Sequence, residues 1–175
     1  MHFMEKVENK REIRRIASKL DLLGGSIARV TKSEIPIKEL VGKINMMGGK
    51  VPVQVFDPKA VISEDHLRAA YLNAMIAFDE GSNISRTMKM EMLLFASMQK
   101  KIDVAVERIG AKSEKEFVIF CGSGSVYDRV KLLISEPRAV RFSKDHSMAA
   151  AKLLGLEDIK IDGILEGMAA SRISD

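Results

Sequence analysis

A single cysteine, Cys121, stands among the 175 residues, so no disulfide can close within the chain. No Cys/His cluster supplies three or four zinc ligands. Apolar residues nowhere run on for the 18 or so positions that a membrane-spanning helix requires, so no membrane contact of that kind is expected. Met1 to Leu20 carries Lys6, Lys10, Arg11, Arg14, Arg15 and Lys19 among three glutamates and has no apolar stretch of the sort a secretory leader needs. A reducing, cytoplasmic setting is the expectation. Repeats and low-complexity linkers are also missing.

What is present is enough for one core. Apolar residues make up 46% and charged residues 30%, which allows burial to offset chain entropy. The length fits a single domain. A formal charge of +4 permits contact with phosphates without requiring it.

Helical and strand-like patterns alternate along the chain. Ile13, Ile16, Ala17 and Leu20 share one helix face, and Gly24-Gly25 ends that helix. Residues 1–25 are expected to be a helical extension packed on a domain spanning 26–175. Ser26 to Thr31 reads as a strand. Pro36 opens a helix with Ile37, Leu40, Val41 and Ile44, which Gly48-Gly49 stops. Val51 to Phe56 alternates as a strand beginning near Pro52.

Ser63 with Glu64 and Asp65 marks a helix start, because a hydroxyl caps free amides and carboxylates suit the positive end of the dipole. That helix should reach about Asp79 with Leu67, Ala70, Tyr71, Ala74 and Phe78 inward. Further helices are expected from about Arg86, over Ile102 to Ile109, and through Val126, Val130 and Leu133. Two more should run from Ser143 to Leu154 and from Asp158 to Ser171. Phe117 to Cys121 is a nearly continuous apolar run, as in a central strand covered on both faces, and Ala139 to Phe142 is a further strand candidate. The class is therefore α/β or α+β, a small mixed sheet flanked by helices in one domain.

The search for chemistry yields little. Gly122-Ser123-Gly124-Ser125 lies between a strand and a helix, where backbone amides can cradle a phosphate. It lacks the lysine of a P-loop and the dinucleotide fingerprint, so a plain tight turn competes with a small phosphate- or nucleotide-binding enzyme. His66 and His146 each fall in a first helical turn, read as surface or capping positions, and Cys121 ends an apolar strand as an unreactive thiol. No coherent catalytic set emerges, and no metal or cofactor is implied.

Two features remain. Between Ser82 and Lys112, Arg86, Lys89, Lys100, Lys101, Arg108 and Lys112 outnumber Glu91, Asp103 and Glu107. Such a cluster can neutralise phosphates, or can be a solvated helix surface. Asn83 and Ser85 beside it offer directional hydrogen bonds to a single-stranded end. The second feature is the apolar stripe Ile161, Ile164, Leu165 and Met168, which packs on its own core or continues into a partner.

In order and spacing, several segments resemble one family: Val53-Gln54-Val55-Phe56, His66-Leu67 with Ala70 and Ala74, Asn83-Ile84-Ser85, Glu91-Met92-Leu93-Leu94, Ala96-Ser97, Ile102, Ala105 and Ile109-Gly110-Ala111-Lys112. It is the family of the KEOPS complex regulatory subunit, the PRPK-binding protein family, and the likeness covers about Ser26 to Ser171. The resemblance implies a non-catalytic protein that binds and supports the complex's atypical kinase/ATPase subunit. It also implies tRNA recruitment through the 3′ CCA tail for threonylcarbamoyl-adenosine modification. Carried over, tRNA-facing positions are expected around Asn83, Arg86, Lys89, Lys100 and Lys101. Kinase-facing positions are expected to include Ile164, Leu165 and Met168. Where family members often carry glycine and glutamine, this chain has Met98 and Lys101, so the local turn should differ.

Overall fold

The computed structural model describes residues 26–31, 33–47, 51–157 and 159–173. The expected helix within residues 1–25 and the Gly48-Gly49 stop lie outside these. Four strands, β1 (Ser26–Val30), β2 (Val53–Phe56), β3 (Phe117–Cys121) and β4 (Pro137–Ala139), form one sheet in the order β2-β3-β1-β4. All three pairings are antiparallel, with Ile27 opposite Phe120, Val55 opposite Ile119 and Val30 opposite Pro137. The fold is thus α+β as expected, but the sheet is not mixed, because residue pattern encodes which face is buried and not strand direction.

The apolar run of β3 sits inside the sheet with all five residues buried. Its alternation feeds two cores. Phe117, Ile119 and Cys121 meet α1 (Ile37–Met46) and α5 (Gly124–Val130) through Leu40, Ile44, Val126 and Val130. Val118 and Phe120 face the larger layer, built from α2 (Glu64–Glu80), α3 (Met88–Ser97), α4 (Ile102–Ile109), α6 (Lys144–Leu153) and α7 (Ile161–Ile173). β4 comes two residues earlier than Ala139 to Phe142. Pro137 lacks an N–H but can open an edge strand, and it pairs only with β1.

Local chemistry sets several helix boundaries. Ser63 Oγ accepts from the His66 amide at 3.1 Å to start α2, and Ser143 Oγ accepts from the His146 amide at 3.2 Å to start α6. The first amide of α1 instead donates to the Glu114 carboxylate at 2.7 Å, a cap from 77 positions away. α2 and α3 close with the same paired bonds. Ser82 N reaches Ala77 O at 2.8 Å beyond Gly81, and Gln99 N reaches Leu94 O at 3.0 Å beyond Met98. The residue between is left-handed in both, with φ 70 at Gly81 and φ 56 at Met98. The departure from glycine at Met98 therefore leaves the turn in place and puts a side chain where strain costs about 1 kcal/mol. That side chain is buried, and its sulfur lies beneath Gly167 of α7.

Candidate macromolecular contact surfaces

α3 is the element that positions most of the expected site. From Glu91 to Ser97 every residue is buried, so the helix is a core rod with its first turn and following loop at the surface. Before it, the loop 81–87 carries Asn83, half-buried, and Arg86, exposed. Asn83 Nδ2 donates to Ser85 O at 2.9 Å and Ser85 Oγ donates to Thr87 O at 2.9 Å, which folds the loop on itself. Lys89 follows one turn later and donates from Nζ to Asn45 Oδ1 of α1 at 2.7 Å.

These two residues stand at the rim of a cavity of about 510 Å³. Its lining includes Ile44, Met47, Val53, Phe78 and Met88. A cation and an amide thus edge a hollow whose lining is mostly apolar.

Lys100 and Lys101 are not part of this group. They follow the C-terminal end of α3, whose ten residues rise about 15 Å. The five expected positions thus form two clusters at opposite ends of one buried helix: Asn83, Arg86 and Lys89 at its start, Lys100 and Lys101 beyond its end. Sequence proximity hid this, because a fully buried helix gives no polar face on which to follow the charges.

The stripe of α7, expected to face the kinase, is covered within the chain itself. Ile164, Leu165 and Met168 are 1%, 3% and 0% exposed and pack into the chain's own core, with Asn73 Nδ2 of α2 at 3.7 Å from the Met168 sulfur. Side chains so covered do not face a kinase subunit while α7 is docked. Apolar side chains that do stay uncovered include Ile102 and Val106, 41% and 48% exposed and one turn apart on α4.

His66 is likewise no surface residue. It is fully buried between α2 and α3: its Nδ1 accepts from the Ile62 amide at 3.2 Å, so Nε2 carries the proton and donates to Ala96 O at 2.8 Å. Burial outweighs the carbonyl contact and lowers its pKa to about 4. His146 is half-buried, with Nε2 at 3.1 Å from Val61 O. Burial pushes the Cys121 thiol up to about 12, which leaves almost no thiolate at neutral pH.

The Gly122–Ser125 segment is a packed turn. Gly122 N donates to Pro52 O at 2.9 Å, and a Cβ there would lie 2.8 Å from Val51 Cγ1 and 2.9 Å from Pro52 Cδ. The glycine permits close approach between the end of β3 and the entry to β2. Ser123 Oγ accepts from Val126 N at 3.3 Å, capping α5. Among the described residues no three His, Cys, Asp or Glu side chains gather as a metal would require. No described helix is long and apolar enough to cross a membrane.

Sequence reasoning passed over Glu91 as one acid among surface bases. It is fully buried, and its two oxygens bind the loop before α3 and Arg172 of α7. Its place directly before the apolar run Met92 to Ala96 was the available signal, since a carboxylate there must find partners.

The domain is thus a helix-backed antiparallel sheet with a hollow edged by Lys89 and with apolar side chains left partly uncovered on α4. The sequence model of the family described as kinase binding protein CGI-121 matches residues 5–155. The chain belongs to this family of kinase-binding proteins. The match begins within the segment read as an extension and ends before α7. No curated protein is found to match the chain.

Proposed function

We propose that this chain is the non-catalytic regulatory subunit of a KEOPS complex. It binds and supports the atypical kinase/ATPase subunit and holds tRNA by its 3′ CCA tail during threonylcarbamoyl-adenosine formation. Family membership supports the kinase half of this reading. The observation that carries the tRNA half is Lys89 and Asn45 at the rim of the apolar hollow, with Arg86 exposed on the loop beside them. Stacking of an unpaired base on an aromatic ring, which Phe78 supplies in the lining, with cations on the neighbouring phosphates, holds a single-stranded end without a reactive group.

The mechanism is recruitment. Gripping the tail makes the tRNA's encounter with a neighbouring catalytic subunit intramolecular and raises its effective concentration. The kinase contact falls to uncovered apolar side chains, for which Ile102 and Val106 are the matched pair on one helix face.

Two charge reversals test the tRNA surface. Arg86→Glu with Lys89→Glu should weaken tRNA binding and make its dependence on log salt shallower by about 1.4 for two phosphate contacts. Lys100→Glu with Lys101→Glu should do the same for RNA that reaches the surface beyond the far end of α3. Unchanged affinity and slope in both doubles would refute the surface.

A further inference from the structure

Glu91 Oε2 accepts from two consecutive loop amides, Ile84 N at 3.0 Å and Ser85 N at 2.7 Å. Its other oxygen, Oε1, accepts from Arg172 Nη2 at 2.6 Å. Arg172 belongs to the last turn of α7, and its guanidinium lies 3.9 Å above the Phe95 ring. One fully buried carboxylate is therefore the point from which both the loop 81–87 and the end of the C-terminal helix hang. Among the described residues, the loop's other hydrogen bonds include several of short sequence range: Asn83 to Ser85, Ser85 to Thr87, and Ser82 N to Ala77 O.

We infer that Glu91 and Arg172 are positioning residues for the loop that carries Asn83 and Arg86, so that docking of the α7 terminus and the loop's grip on RNA are coupled. The RNA part of this statement rests on the function proposed above. The chemistry runs as follows. An ionised carboxylate accepts only, and with Arg172 in place all its charge is met by donors. Take Arg172 away and a buried carboxylate is left with two amides, which is costly, so it turns toward water and the amides lose their acceptor.

A buried ion pair in itself contributes little net stability, because desolvation of its two charges offsets their attraction. By linkage, a partner that moves the end of α7 changes RNA affinity, and bound RNA holds that end down by the same factor.

The test uses the full chain with Arg172→Met, which keeps an apolar stem over Phe95 but removes the guanidinium, and Arg172→Lys, which returns the charge. Amide hydrogen exchange at Ile84 and Ser85 reads the loop directly, and a tRNA titration reads the consequence. Arg172→Met should speed exchange at those two amides at least tenfold, leave Phe117 to Cys121 unchanged, and weaken tRNA binding about fivefold. Arg172→Lys should recover part of both losses. Unchanged exchange at Ile84 and Ser85 overturns the inference, as does an equal rise throughout β3, which would make Arg172 general fold support. Faster loop exchange with undiminished tRNA affinity upholds the positioning role and instead removes the loop from the RNA surface.

Discussion

Two helices of this protein carry apolar stripes of the same spacing and meet different fates. On α7, Ile164, Leu165 and Met168 are sealed against α2 and α3, whereas on α4, Ile102 and Val106 stay nearly half exposed while Ala105 and Ile109 are buried. Periodicity reports which residues share a face. What covers that face is decided by elements far away in sequence. For a family defined by binding a kinase, the difference matters, because the stripe that looks most like a docking ridge is core, and the one that looks like ordinary core is partly free.

The most severe way to break this comparison is Leu165→Glu. A charge forced into the α7 seam should cost about 4 kcal/mol or more and unfold much of the isolated protein, seen as a collapsed urea midpoint. A folded variant with native stability would mean that α7 does not rest on the core.

Acid loosens the floor under α7. His66 joins α2 to α3 as a neutral ring, and its pKa is near 4 when folded against 6.5 in an exposed chain. Protonation thus favours the unfolded state: its stability contribution is intact above pH 6.5 and is lost as pH falls from there toward 4. Between pH 7.5 and 5 that amounts to about 2 kcal/mol, measurable by urea titration at each pH. Replacing His66 by Gln should flatten that slope.

Met98 sharpens the picture on a smaller scale. Met98→Gly relieves about 1 kcal/mol of left-handed backbone strain but empties the space beneath Gly167, where burial of the side chain contributes about 2 kcal/mol. A net loss of about 1 kcal/mol is expected, and a gain in stability would show that the Met98 packing is slack. On the other stripe, Val106→Asp should change stability by about 0.5 kcal/mol or less while weakening capture of the kinase subunit in a pull-down of the two purified chains. An equally stable variant that binds the kinase as well as before would move the contact away from α4.

Much of the fold was legible wherever one local signal was enough. The Ser63 and Ser143 caps, the apolar run of β3 and the glycine after α2 each announced their element, and the described helices fell within a few residues of their expected spans. The site was less legible for reasons that are tertiary. Lys89 and Lys100 are close in sequence but separated by a buried helix, and the rim partner of Lys89, Asn45, comes from α1. His66 and Glu91 look like surface residues until the elements that bury them are in place, since nothing within four positions of Glu91 foretells Arg172. The direction of the strands was hidden for the same reason, and the strand expected over Ala139 to Phe142 begins earlier, at Pro137, because its neighbour β1 lies over a hundred positions away.

The central claim, that this domain works by holding the single-stranded end of a tRNA beside its partners, is tested most directly by titrating the purified protein with labelled tRNA before and after removal of the terminal CCA. Affinity should fall at least tenfold on trimming, with the larger part of the remaining binding lost at high salt. Equal affinity for the trimmed and intact molecules would contradict the account.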